Sequence, residues 1–172
     1  MFSVIYENAE FYFCANERKE LLNLQDLEKY KETILLKGAM MNRGDFLDTL
    51  KKKGLNFTED KANESLNNAF NYGSLNFISS YLKYYKIDCD EYKDKIEGLI
   101  ERVFSTGRPA DVDSLVNLGF FNRQSIGLTH LCSSLKCNNL DVFKYTVKEV
   151  KLDEEDLTFL FLLAIEKKHM II

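Results

Sequence analysis

The sequence is poor in the residues that break or cross-link a chain. One proline and eight glycines in 172 residues force few interruptions, which favours helices over a sandwich of short strands with their many Gly/Pro turns. Tryptophan is absent, and histidine occurs only as His130 and His169. The four cysteines, Cys14, Cys89, Cys132 and Cys137, have no paired spacing, so reduced thiols and a cytoplasmic setting are expected. There is no excess of base: 23 Lys and Arg stand against 27 Asp and Glu, a net charge of −4. That excludes a general nucleic-acid binder, which needs a clustered basic surface. The longest apolar run, residues 159–165, holds seven residues, whereas a membrane span needs about 20. The opening segment, Met1 to Asn16, alternates apolar and acidic positions and lacks the continuous apolar core of a signal peptide. Neither nucleic acid nor membrane is therefore an expected partner.

What the chain does have is a period. Polar residues suited to cap a helix stand at Asp26, Thr58, Asp90, Asn122 and Asp153, recurring at a near-constant step of about 32 residues. A second landmark follows each of the first four caps near the middle of its period: Gly44, Gly73, Gly107 and Asn138. Gly and Asn tolerate the left-handed conformation that ends a helix.

Between the landmarks the apolar residues have helical spacing. Ala62, Leu66, Ala69 and Phe70 form one stripe; Ile96, Leu99, Ile100, Val103 and Phe104 form another; Leu128, Leu131, Cys132 and Leu135 a third. After each Gly or Asn comes a shorter helix, with stripes at Leu75, Ile78, Tyr81, Leu82 and Tyr85, at Val112, Leu115 and Val116, and at Leu140, Phe143, Val147 and Val150. Each unit reads as helix, tight turn, helix, loop. A two-helix unit of this size cannot bury both faces alone, so neighbouring units must stack.

The stretch Asn68-Ala69-Phe70-Asn71-Tyr72-Gly73-Ser74-Leu75-Asn76-Phe77-Ile78 resembles the ankyrin repeat, and Asn138-Asn139-Leu140-Asp141-Val142-Phe143 repeats its steps with Asn at the Gly position. Leu118-Gly119-Phe120-Phe121-Asn122 and Lys53-Gly54-Leu55-Asn56-Phe57 resemble that family's exit from the second helix. The resemblance spans roughly residues 26–170. No unit carries the Thr-Pro-Leu-His opening, since the one proline is Pro109, and the exit hairpins lack the Gly-Ala-Asp core. The resemblance implies an all-α helical-hairpin solenoid of about four full repeats and one incomplete repeat. The expected units are residues 26–57, 58–89, 90–121, 122–152 and 153–172, behind a non-repeat N-terminal cap over residues 1–25. The segment from Met1 to Asn16 reads equally as two short strands or as an amphipathic helix.

The last unit is expected to leave an apolar surface. Acids at 153–156 open a helix at its positive end, residues 157–165 are apolar on nearly every side, and the sequence stops where the second helix of that unit should begin. The helix over residues 154–170 either folds back or docks on a partner or a second copy, giving a homodimer.

Catalytic chemistry finds little support. His130, Cys132 and Cys137 make at most a partial zinc site, and Cys132 falls on the apolar stripe, where a thiol behaves as a small hydrophobe. His169 stands near a helix end that favours a cation. No glycine pattern marks a dinucleotide or nucleotide loop. The run Lys51-Lys52-Lys53 suits the negative end of a helix. No catalytic residue, metal or cofactor is expected. The expectation is a non-catalytic protein–protein interaction module. The residues enriched in A- and T-rich genomes, Asn, Lys, Tyr, Phe and Ile, associate it with a viral or pathogen protein that antagonises host defence in the host cytoplasm. A substrate-recognition fragment of a larger enzyme or effector and a homo-oligomeric structural protein are the alternatives. In proteins resembling ankyrin repeats the loop tips and first helices hold the partner, which implies Asn56, Phe57, Asp88, Phe120, Phe121, Asn122, Lys151 and Asp153, with Asn71 and Tyr72 beside a turn. For Phe57, Phe120 and Phe121, packing between units is expected ahead of partner contact.

Overall fold

The computed structural model describes residues 24–167, all of them in helices, turns and loops. The two readings of the N-terminal segment, Cys14 and the role suggested for His169 lie outside the described residues. Two compact units divide between Lys86 and Ile87. The first holds α1 (Leu24–Met40), α2 (Gly44–Lys52), α3 (Glu59–Tyr72) and α4 (Leu75–Tyr81). The second holds α5 (Lys93–Thr106), α6 (Pro109–Asn117), α7 (Leu128–Lys136), α8 (Leu140–Thr146) and α9 (Glu154–Glu166). Short 3-10 turns at Arg123–Ser125 and Val147–Glu149 complete it.

Consecutive helices pair as hairpins, and within each unit like packs on like. In the first unit α1 lies against α3 and α2 against α4. In the second, α5 lies against α7, α7 against α9, and α6 against α8. The core follows a fixed offset from the hairpin turn. Ala39, Phe70 and Leu135, each three residues before a left-handed residue, are all buried. Phe104, three residues before Gly107, is buried as well. One turn of helix earlier, Leu35, Leu66 and Leu131 repeat the pattern.

Three of the four hairpin turns are closed by one backbone device. Asn42, Gly73 and Asn138 have φ of 57°, 71° and 59°, and across each a 6→1 bond returns to the helix: Arg43 N to Gly38 O, Ser74 N to Ala69 O, and Asn139 N to Ser134 O, at 2.8–2.9 Å. Gly54 and Gly119, with φ of 78° and 73°, end α2 and α6 in the same way through Leu55 N to Leu50 O and Phe120 N to Leu115 O, both at 3.1 Å. Two expected turn residues differ. In the first hairpin Asn42 takes the left-handed position and Gly44 instead opens α2. Gly107 is extended, with φ −79° and ψ −174°.

The caps divide similarly. Thr58 and Asp153 cap α3 and α9, accepting from Lys61 N at 3.4 Å and Asp156 N at 2.8 Å. Asn122 accepts from Gln124 N at 2.9 Å, but this closes the 3-10 turn, and α7 begins only at Leu128. Asp90 donates its N–H to Asp88 Oδ1 at 2.9 Å in a local turn, and Tyr92 is the residue that precedes α5. Leu24 already opens α1, so Asp26 lies inside that helix.

Polar side chains pin the packing between hairpins. Asn42 Oδ1 accepts from Asn76 N at 2.7 Å. In the second unit Asn139 Nδ2 donates to Phe104 O and Gly107 O at 3.2 and 2.9 Å. Asp48 of α2 accepts from Ser80 of α4 at 3.3 Å and from Lys83 at 2.9 Å, while Tyr145 of α8 donates to Asp113 of α6 at 2.8 Å. Burial pushes the Asp48 carboxyl up, but bonds from Lys83, Tyr84 and Ser80 outweigh it and hold the group below its ordinary value.

Gly44 sits where α2 meets α4, and a Cβ there would collide with the Asn76 carbonyl and the Ser80 hydroxyl. Gly98 in α5 has open space around it. Gly44→Ala is therefore expected to destabilise the protein by about 1–3 kcal/mol, whereas Gly98→Ala should stabilise it by roughly 0.5–1 kcal/mol through helix propensity. Urea unfolding of both variants checks this, and a neutral Gly44→Ala would disprove the close approach.

Candidate functional site

In the second unit, α5, α7 and α9 lie side by side and leave a groove across the exposed edge of their packing. It consists of two adjoining hollows of about 270 and 440 Å³. The helical period explains its lining. Leu99 and Val103 of α5 and Leu131 and Leu135 of α7 face the core, so the residues two positions before each, Glu97 and Glu101 on α5 with Thr129 and Ser133 on α7, flank the seam. Glu101, Thr129 and Ser133 belong to both hollows. Ile100, Phe104 and His130 close the first, while Leu128, Cys132, Lys136 and Phe159 of α9 close the second. The hydroxyl of Ser133 also meets that of Ser105 on α5 at 3.0 Å. The groove thus combines two exposed carboxylates, a lysine, hydroxyls and an apolar floor.

His130 is a packing residue. Its ring lies 4.6 Å from Phe104 and 5.2 Å from Phe121, and its Nδ1 accepts from Gly127 N at 3.2 Å, satisfying a free amide at the start of α7. Burial lowers its pKa. Cys132 is buried, and desolvation raises its thiol pKa, the opposite of what activates a nucleophile. Cys89 and Cys137 are exposed. Among the described residues no group of three or more His, Cys, Asp or Glu is placed to hold a metal ion, and no helix is long and apolar enough to cross a membrane.

The residues expected to bind a partner are scattered. Asn56 and Phe57 precede α3, whereas Asn71 and Tyr72 end it; at 1.5 Å per residue these pairs stand roughly 20 Å apart along the helix. Asn56, Asn71, Tyr72, Asp88, Asn122, Lys151 and Asp153 are exposed, and Phe57, Phe120 and Phe121 are half-buried. Phe57 receives Lys31 and Lys51 over its ring at 6.0 and 5.6 Å, and Lys51 also covers Tyr85 at 4.6 Å. The first lysine of the basic run is thereby engaged by aromatic faces. Phe121 packs edge-on against Phe104 at 5.6 Å. Tyr81 is buried and stacked on Tyr85 at 4.7 Å, while Tyr84 is exposed. A network not evident from the sequence joins Arg123, Asp113, Tyr145 and Glu149: Arg123 bonds Asp113, reaches Glu149 at 3.5 Å, and lies 5.6 Å over the Tyr145 ring.

Compared with protein-family models, curated proteins and solved structures, the chain has no significant match.

The folded protein binds a proton on His130 less readily than the unfolded chain does. Protonation therefore opposes folding, and stability declines as pH falls below about 6.5 until the folded form is itself protonated. Glu97 and Glu101 share the hollow, but both are exposed and burial sets the direction. His130→Gln, which keeps an acceptor for Gly127 N, is expected to show a smaller loss of Tm between pH 7.5 and 5.5 than the unaltered protein. Equal losses in the two proteins would show that His130 does not carry this dependence.

Proposed function

We propose that the chain is a non-catalytic protein–protein interaction module whose helical hairpins are stacked, within each unit, in the manner of ankyrin repeats. The reading is supported by like-on-like packing of first and second helices, by the left-handed turn closures, and by hydrogen bonds that tie each hairpin to the next one in its unit. The observation that carries it is the groove across α5, α7 and α9. A groove lined by Glu97 and Glu101, hydroxyls and the apolar Leu128 and Phe159 suits a polypeptide segment that combines basic and apolar side chains. Its charged residues stand on rigid helices, so little ordering accompanies binding.

Affinity capture from the native cell, using the unaltered protein, a groove variant (Glu101→Arg with Thr129→Arg) and a loop-tip variant (Asn56→Arg with Asn71→Arg), tests this reading. A bound protein reduced about tenfold or more by the groove variant and retained by the loop-tip variant is expected. Loss with the loop-tip variant alone would move the binding surface to the tips. Identical capture by all three would refute a role for either.

A further inference from the structure

The outer side of α9 carries an apolar surface that no described residue covers. Leu157, Phe161, Leu162 and Ile165 are 53%, 59%, 58% and 42% exposed, while Phe159 lies to one side, in the groove. On the other side Leu160 and Leu163 are buried against Leu131, Cys132 and Leu135 of α7. Leu157, Phe161 and Ile165 follow one another at i, i+4 spacing and form a single ridge, with Leu162 beside it. Taking about 150–200 Å² for a whole large apolar side chain, the four leave roughly 300–400 Å² of apolar surface in water. That is the size of the largest patch on a typical monomer, and here it lies on one helix.

We propose that this surface is covered by the same surface of a second copy, the two α9 helices packing antiparallel about a two-fold axis. Three features select that occupant. An isologous pair buries the patch twice, roughly 600–800 Å² from these four side chains alone. Thr158, Ala164 and the helix ends bring the contact toward the about 1,200 Å² at which specific interfaces begin. The ends of α9 differ in charge: Asp153, Glu154, Glu155 and Asp156 open it, whereas Glu166 and Lys167 offset one another at its other end. Antiparallel packing keeps the two acidic ends apart and sets each beside the neutral Glu166–Lys167 end of the other helix, whereas parallel packing sets acid on acid. The helix dipoles also oppose one another. A small interface of this kind gives a concentration-dependent dimer.

The inference rests on the reading that the chain acts by binding protein, and its test is separate from the groove. Sedimentation of the full chain from about 1 µM to 1 mM is expected to pass from monomer to dimer. Phe161→Glu and Ile165→Glu, each at an exposed position outside the groove lining, should remain monomeric throughout with unchanged helical circular dichroism and Tm. Glu154→Lys with Glu155→Lys should weaken the dimer, and adding Lys167→Glu should recover part of it. A monomer at 1 mM, or a dimer untouched by Phe161→Glu, overturns the proposal. So does a monomer that co-sediments with phosphatidylcholine–phosphatidylserine vesicles and loses that binding in Phe161→Glu, since the face would then meet a lipid surface. A monomer whose groove variant alone loses a captured protein overturns the dimer and leaves the interaction module intact; a dimer that captures nothing does the reverse.

Discussion

Helices this short cannot stand by themselves. Five of the nine α-helices among the described residues have seven to nine residues, and isolated helices below about 12–15 residues are marginal in water. What stabilises them is burial against the equivalent helix of the next hairpin. Leu47 and Leu50 of α2 and Phe77 and Ile78 of α4 are completely buried, and Gly44 allows the two backbones to approach. The constraint falls on the turn. If the left-handed residue moved by one position, every apolar side chain after it would rotate by about 100° and leave the core. The repeated 6→1 closure at Asn42, Gly73 and Asn138 fixes that phase.

Apolar contact does not by itself select one register, because adjacent rows of Leu, Ile and Phe can slide. Directional bonds remove this freedom. Asn139 has both ends engaged: its Oδ1 accepts from Val142 N while its amide donates to two carbonyls of the preceding turn. A slide of one turn would strand those carbonyls without a partner, a loss of about 1–3 kcal/mol for each buried group. The Asp48–Ser80 and Asp113–Tyr145 pairs do the same farther along the second helices. The members of each pair are separated by one full repeat, so the period visible in the apolar stripes is also written in the polar ties.

Local rules explain which parts of this were legible in the sequence. Gly73, Asn138, Thr58 and Asp153 sit where one residue's own chemistry decides the backbone, and each occupies its expected place. The stripes of α3, α5 and α7 were readable because helical spacing is a property of the element alone; Ile100 and Leu128 are their half-buried edges. Asp90 and Asn122 misled because Asp and Asn close turns as readily as they cap helices. Asn42 and Gly44 exchange roles for a similar reason: both tolerate a left-handed turn, and the closeness of α4, which only a glycine permits at 44, decides between them. The groove was not legible, since Glu97, Glu101, Thr129 and Ser133 read as solvated faces until α5, α7 and α9 are set side by side. Phe121 illustrates the converse, a residue at a loop tip whose ring is turned inward onto Phe104 and His130.

The composition of α9 follows from the same logic as that of α7. A helix in the middle of a row is pressed from two sides and needs apolar residues on both, and α7 meets α5 on one side and α9 on the other. In α9 one side is used on α7, through Leu160 and Leu163, and the opposite side is built from residues of the same kind. Its N-terminus is nonetheless a finished one, with Asp153 as cap and three acids in the first turn. Weak folding of α9 therefore does not account for the exposed Phe161 and Leu162. Solubility alone would favour charge at those positions. An apolar ridge on a well-capped helix is what the proposed contact surface requires.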